Sequence, residues 1–263
     1  MLYYAFFTLV CVCCLILVIN INFPINGIPV LMYHKFSNSY KDDITITVEQ
    51  FEEQILFLLK SDYQIIPLSQ FVAFINGEIK SLPKKSILLT FDDGYLNNLE
   101  LAYPILEKYN ISATIFLSTA HIGQSNSWDK NPEALLCLNH LKSLNPNFVS
   151  FGLHSHQHQN YKNLSLDEIV KDLQLNINYF EKNLLPVLPV FAYPFGGRPK
   201  CKATLIQMKK TMNELNIKAA FRIGNRLNIV PLKDKYEIQR LDIRGNESLT
   251  KFIIRLKGFG KLL

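Results

Sequence analysis

Cysteine is scarce in this chain outside its first residues. Five cysteines occur among 263 residues, and Cys11, Cys13 and Cys14 lie in an apolar N-terminal stretch where they behave as small hydrophobes. Only Cys137 and Cys201 remain for a folded domain, so no disulfide framework is visible, and the two are either free or paired. Internal repeats, low-complexity tracts and a Gly/Ser-rich linker are also missing, which excludes a repeat array and removes any need for a second domain. The chain carries no nucleic-acid-binding motif and no lipidation signal. Its formal charge of +6 is spread out, with a modest basic tail at Arg255, Lys257 and Lys261 that reads as a solvated face.

Long apolar runs are absent except for one. Residues 2–19 are apolar apart from Thr8, about the length of a membrane span and longer than the usual apolar core of a signal peptide. No small-x-small cleavage site follows, and no Lys or Arg precedes the run. Residues 1–24 are therefore expected to form an uncleaved membrane anchor, with a cleaved signal segment as the alternative. Residues 25–263 are expected to form one α/β domain with a substantial core.

Within that domain, strand and helix patterns alternate. Residues 29–34, 63–67, 86–91, 113–117, 148–153, 190–193 and 219–223 read as short buried strands. Thr47 with Gln50, and Ser165 with Glu168, have the spacing of capping boxes and predict helices running through Leu59 and Phe180. The second helix repeats Ile169, Leu173, Ile177 and Phe180 on one face, a core stripe. Strand and helix in series imply parallel pairing with right-handed crossovers. About seven such units can close as an irregular (β/α)7-type barrel, whose chemistry gathers at the C-terminal ends of the strands.

Two pieces of sequence fall at such ends. Thr90-Phe91-Asp92-Asp93-Gly94 closes one apolar run, and His154-Ser155-His156-Gln157-His158 follows another. Asp-Asp-Gly alone is a turn sequence, and two histidines four apart are often surface residues. Together they offer an N,N,O ligand set that suits zinc and leaves a coordination position open, as hydrolytic sites do. Adjacent residues of an extended segment point in opposite directions. One aspartate is thus free to ligate while its neighbour takes a proton during attack on a carbonyl.

At these residues the chain resembles the polysaccharide deacetylase family (NodB homology, carbohydrate esterase 4), over roughly residues 29–252. The resemblance implies a barrel fold and removal of N-acetyl groups from a glycan, with Asp92 as general base and Asp93, His154 and His158 as ligands of a divalent metal. Zn2+ is the expected ion, with Co2+ or Ni2+ as alternatives. A third piece, Phe191-Ala192-Tyr193-Pro194-Phe195-Gly196, is similar to a family segment whose backbone N–H, here that of Phe195, helps hold the oxyanion. Tyr193 is assigned to substrate binding beside it.

The departures point to a subgroup. Ala192 stands where many members carry the arginine that orients the base, and Arg240 is the candidate substitute. No Leu-x-His segment supplies a late general acid. Members similar to poly-N-acetylglucosamine deacetylases share both features and an early Met-Tyr-His, here Met32-Tyr33-His34, so His34 is the candidate acid, histidine being the side chain that ordinarily changes charge near neutrality.

His156 is expected to be a solvated neighbour, and Trp128 a packing residue rather than a sugar platform. His121 and His140 have no motif around them and no assigned role. The expected partners are an N-acetylated envelope glycan or lipid-linked sugar, and the membrane through the N-terminal segment, with the catalytic domain outside the cytoplasm. If the segment were cleaved, the protein would be secreted. Competing readings are an O-acetyl esterase, a catalytically impaired glycan-binding relative, and a membrane-tethered scaffold.

Overall fold

Parallel strands dominate the computed structural model, which describes residues 27–258. In chain order the elements are β1 (Val30–Tyr33), β2 (Lys35–Ser37), β3 (Thr45–Thr47), α1 (Val48–Lys60), β4 (Gln64–Ile65), α2 (Leu68–Ile75), β5 (Ser86–Asp93), α3 (Tyr103–Tyr109), β6 (Ala113–Leu117), α4 (Leu138–Ser143), β7 (Val149–Leu153), α5 (Leu166–Lys182), β8 (Val190–Ala192), α6 (Lys202–Glu214), β9 (Ala219–Ile223), β10 (Ile238–Asp242) and α7 (Leu249–Leu256). The sheet runs β1-β10-β9-β8-β7-β6-β5, and β1 also pairs with β5, so seven parallel strands close a barrel. Helices wrap the outside, as right-handed crossovers require.

The capping boxes stand where the sequence puts them. Gln50 N donates to Thr47 Oγ1 at 3.2 Å, and Glu168 N to Ser165 Oγ at 3.3 Å, with both reciprocal bonds made. Each box satisfies amides that the first helical turn would leave without partners.

The strand count was right for a partly wrong reason. The segment at 63–67 is not a stave: β4 is two residues long, is not buried, and pairs with Ser86 and Ile87 at the start of β5, below the point where β1 takes over that edge. The seventh stave is β10. Its sequence Ile-Gln-Arg-Leu-Asp mixes two apolar with three polar residues and lacks the apolar run that marked the other strands. The small parallel pair β2–β3 was not anticipated either.

Side chains alternate across each stave. Leu31, Leu89, Phe91, Ile115, Leu153 and Phe191 face outward into the helix-covered core. Val30, Leu88, Phe116, Ala192 and Phe221 face inward, and Leu68, Phe71 and Val72 of α2 pack against them from below. The lower half of the barrel is thus filled with apolar side chains, and polar chemistry is confined to the upper end.

Several expectations fall elsewhere. The anchor at residues 1–24 lies outside the described residues, as does Lys261; among the described residues no helix is long and apolar enough to cross a membrane. Cys137 and Cys201 are both free. Arg255 is not part of a solvated face: it is buried, its Nη1 donates to both carboxylate oxygens of Glu247 and its Nη2 to Asn225 Oδ1 at 2.6 Å.

Gly152 tests the packing of the barrel. A Cβ added there would lie 2.6 Å from the Phe116 ring, so Gly152→Ala is expected to cost about 1–3 kcal/mol through overpacking. Urea unfolding of the two proteins measures the difference.

Candidate active site

Three strand ends build the site, and each leaves its strand through left-handed backbone. Asp93 (φ 74°) and Gly94 (φ 77°) end β5, Ser155 (φ 66°) and His158 (φ 53°) follow β7, and Phe195 (φ 56°) and Gly196 (φ 64°) follow β8. Non-glycine residues adopt this region rarely and at a cost. Here it turns side chains that strand alternation would send elsewhere toward one point above the barrel.

That point is defined by Asp93, His154 and His158, all buried. Asp93 Oδ1 lies 3.3 Å from His154 Nε2 and 3.0 Å from His158 Nε2. One ligand atom from each of the three falls within 4.8 Å of the others. His154 Nδ1 sits 2.8 Å from the carbonyl oxygen of Ala192. A carbonyl only accepts, so Nδ1 carries the proton, and the neutral ring presents an Nε2 lone pair to Asp93. Asp93 Oδ1 meanwhile accepts no hydrogen bond, although it is buried. Lone pairs converging without a donor between them fit a divalent cation. Burial works against the charge on Asp93, yet the two imidazoles, in their protonated form, hold its carboxyl well below the usual carboxylate range.

Asp92 faces the barrel interior. Arg240, from β10, grips it with both arms: Nη1 donates to Oδ1 and Nη2 to Oδ2, each at 2.6 Å. The arginine is fully buried, and its guanidinium also lies 5.4 Å from the Phe116 ring centroid. Burial would raise the Asp92 carboxyl, but Arg240 first, then His154 and His34, keep it below its ordinary range. The ion pair missing at Ala192 is therefore made from the next-but-one stave. His34, at the end of β1, places Nε2 at 4.0 Å from Asp92 Oδ2, and the same oxygen is 3.9 Å from His154 Nε2.

The expectation for Tyr193 needs correcting. Its side chain is fully buried on the outer face of the barrel, donating its hydroxyl to the Tyr236 carbonyl at 3.2 Å and packing on Phe191 and Met212. Alternation decides this: Ala192 points inward, so Tyr193 points outward. Phe195 is at the site. It is 56% exposed, and its ring centroid lies 4.8 Å from that of His158 in an edge-on arrangement. Trp128 packs, stacked on His158 at 3.8 Å. His156 is half-buried and turned away, with Nδ1 2.9 Å from Thr119 Oγ1. His140 accepts from the Cys137 amide at the start of α4, and His121 meets the Trp128 ring edgewise at 4.9 Å.

The sequence reading missed Asp172. From α5, its carboxylate accepts the amides of His156 and Gln157 at 3.0 and 3.1 Å and the Tyr161 hydroxyl at 2.7 Å. It thereby holds the loop between the two histidines. Its signal was its position: Asp172 and Asn176 fall within the buried stripe of α5, where a polar residue needs an internal partner.

A sequence model of the family described as polysaccharide deacetylase matches residues 79–220, more than half of the chain. The chain belongs to the polysaccharide deacetylase family. It is 28% identical over 235 residues to the poly-beta-1,6-N-acetyl-D-glucosamine N-deacetylase of Staphylococcus aureus, covering 85% of this chain and 77% of that one. Among solved structures, the Streptococcus pyogenes deacetylase PplD in complex with acetate superposes with a TM-score of 0.71 at 23% identity, covering 89% of this chain and 99% of that one. IcaB from Ammonifex degensii gives 0.71 at 19% identity, covering 90% and 98%. These two likenesses concern the fold. The family match spans Asp92, Asp93, His154, His158 and Phe195. His34, at the end of β1, lies before it, and Arg240, on β10, lies after it.

Replacing Arg240 with Gln strands a buried carboxylate, and the expected cost at neutral pH is about 3–5 kcal/mol. Because the folded-state pKa of Asp92 is depressed, the stability it contributes is present above the unfolded value and disappears as pH falls through the folded one. The gap between wild type and variant should therefore narrow below about pH 4. Urea unfolding across that range provides the comparison.

Proposed function

We propose that this chain is a metal-dependent hydrolase that removes N-acetyl groups from an N-acetylated glycan of the poly-N-acetylglucosamine type. Asp93, His154 and His158 would hold the cation, for which Zn2+ suits the N,N,O set best. The observation carrying the reading is the position of Asp92 Oδ2, which lies 3.9 Å from one proposed ligand nitrogen and 4.0 Å from His34 Nε2. A proton acceptor, a proton donor and an ion site thus share one small volume. Substrate class is supported by the Staphylococcus aureus relative, whose name states N-deacetylation of poly-beta-1,6-N-acetyl-D-glucosamine.

A divalent cation held by Asp93, His154 and His158 would supply Lewis acidity, which makes an acyl carbonyl more electrophilic and water easier to ionise at neutral pH. Asp92 accepts the proton of the attacking water on Oδ2. Arg240 keeps the carboxylate ionised and fixes its direction, at the price of a weaker base. His34 Nε2 gives a proton to the leaving amine nitrogen. The Phe195 N–H donates to the oxygen that becomes negative as the carbonyl carbon turns tetrahedral. The exposed Phe195 ring and the Trp128 face leave an aromatic rim against which a pyranose ring can lie. We place the glycan at the cell envelope on the strength of the apolar residues 2–19; recovery of the expressed chain in a soluble, shortened form would remove the anchor from this reading.

Acetate release from N-acetylated glucosamine oligomers by the full-length chain is the direct assay. Asp92→Asn is expected to keep bound zinc and lose turnover, on the order of 10²-fold or more. His34→Ala should lower turnover with zinc unchanged, and normal turnover would reject it as the acid. His154→Ala should lose the metal; full zinc occupancy there would strike it from the ligand set.

The pH dependence of zinc binding follows from His154. Burial disfavours its charged form, but Asp92 and Asp93 outweigh that and raise its pKa above the ordinary value. Proton and metal compete for Nε2, so zinc affinity should weaken as pH falls through a value above about 6.5. Chelator competition at a series of pH values measures it.

A further inference from the structure

The two proposed histidine ligands are held in different ways. His154 has its ring fixed by the Nδ1 hydrogen bond to Ala192. His158 has no such bond: its Nδ1 is buried and without a hydrogen-bond partner. Metal-binding histidines almost always give the second ring nitrogen a hydrogen-bonded partner, which sets orientation and basicity. The His158 ring is instead confined by aromatic surfaces, with Trp128 stacked on it at 3.8 Å and 27° and Phe195 edge-on at 4.8 Å and 63°.

Phe195 belongs to the turn after β8, but Trp128 stands on the long connection between β6 and α4. Something must hold that connection in place. Next to Trp128, Asp129 Oδ2 lies 2.8 Å from Lys35 Nζ, and Glu133 Oε1 lies 3.0 Å from the same nitrogen. The lysine side chain is only 6% exposed. Its ammonium also sits 4.9 Å from the Tyr95 ring centroid, and the Tyr95 hydroxyl donates to Asp129 at 3.1 Å. Tyr40 and Asn97 donate to Glu133, both at 3.2 Å. Lys35 follows His34 directly and opens β2, so it ties this connection to the strand that opens the barrel.

A lysine this buried needs its charge paired, and breaking such a cluster leaves an uncompensated charge. We propose that Lys35 is a positioning residue for metal binding: through Asp129 and Glu133 it holds Trp128 against His158, and the stack takes the place of the missing hydrogen bond. This rests on the reading of Asp93, His154 and His158 as a metal site.

Trp128 is the only tryptophan of the chain, so its emission reports the stack directly. The test compares the full-length wild type with Lys35→Met, Lys35→Arg, Trp128→Leu and the Lys35→Met/Trp128→Leu double variant. Zinc affinity is measured by chelator competition, and tryptophan emission is recorded with and without Co2+. Lys35→Met is expected to weaken zinc binding about 10–100-fold, shift the emission of Trp128 to the red and reduce its quenching by Co2+. Lys35→Arg, which keeps the charge, should recover most of the affinity. Trp128→Leu should lose a similar factor, and adding Lys35→Met to it should cost little more, because the two act in series.

Wild-type zinc affinity in a folded Lys35→Met, or losses that multiply in the double variant, would overturn the proposal. If Lys35→Met shows no cooperative thermal transition, Asp129→Asn and Glu133→Gln keep the shape of the cluster and are judged by the same two criteria. A wild type that binds no zinc overturns the metal reading itself; zinc bound equally by wild type and Lys35 variants overturns the positioning role alone.

Discussion

A buried ion pair spans the top of the barrel interior, and the rest of the site is arranged around it. Arg240 and Asp92 come from β10 and β5, the two strands that flank β1. Desolvating either charge alone would be costly, whereas their paired, two-pronged contact offsets the loss on both. The pair thus fixes three adjacent staves at their upper ends. It also dictates what else can be there: the inward neighbours Thr90 and Phe116 meet the guanidinium, one through its hydroxyl at 3.4 Å and the other through its ring face.

Placing a charged pair beneath the proposed ion site has a chemical consequence. A carboxylate held by arginine is a poor base in isolation, so the proposed chemistry asks the cation to acidify the nucleophile and asks Asp92 mainly for direction. Orientation is what the structure spends its strain on. Asp93, Ser155, His158 and Phe195, four non-glycine residues with positive φ, all stand at the rim of this one cleft. Strained backbone persists only where its surroundings over-determine it, and here Asp172, the Ala192 carbonyl and the Trp128 stack provide that constraint.

Much of the fold could be read directly from the chain. Ala113–Leu117 and Ala219–Ile223 coincide with the expected strands, and both capping boxes close as their spacing requires. Local chemistry is sufficient for such features, because each depends on residues within a few positions of one another. β10 escaped because its interior-facing residues at the upper end are Arg240 and Asp242 rather than apolar ones. Its polar pattern is the mark of a stave that supplies the site, and periodicity arguments count such residues against a strand. Tyr193 was misplaced for the complementary reason: beside a motif every residue looks functional, and only the in-and-out alternation of β8 separates Ala192 from Tyr193.

The sequence by itself determined the donor types, their order, and the strand ends that carry them, since Asp92-Asp93 and His154-x-x-x-His158 are short-range patterns with few other chemical uses in combination. Tertiary structure alone decided that Arg240, 148 positions from Asp92, would be its partner, that Asp172 would hold the histidine loop, and that Lys35 would meet Asp129 and Glu133. Those pairings depend on the closure of the barrel and on loops crossing its rim. No local propensity encodes them, because they exist only once desolvation forces each buried charge to find its counterpart.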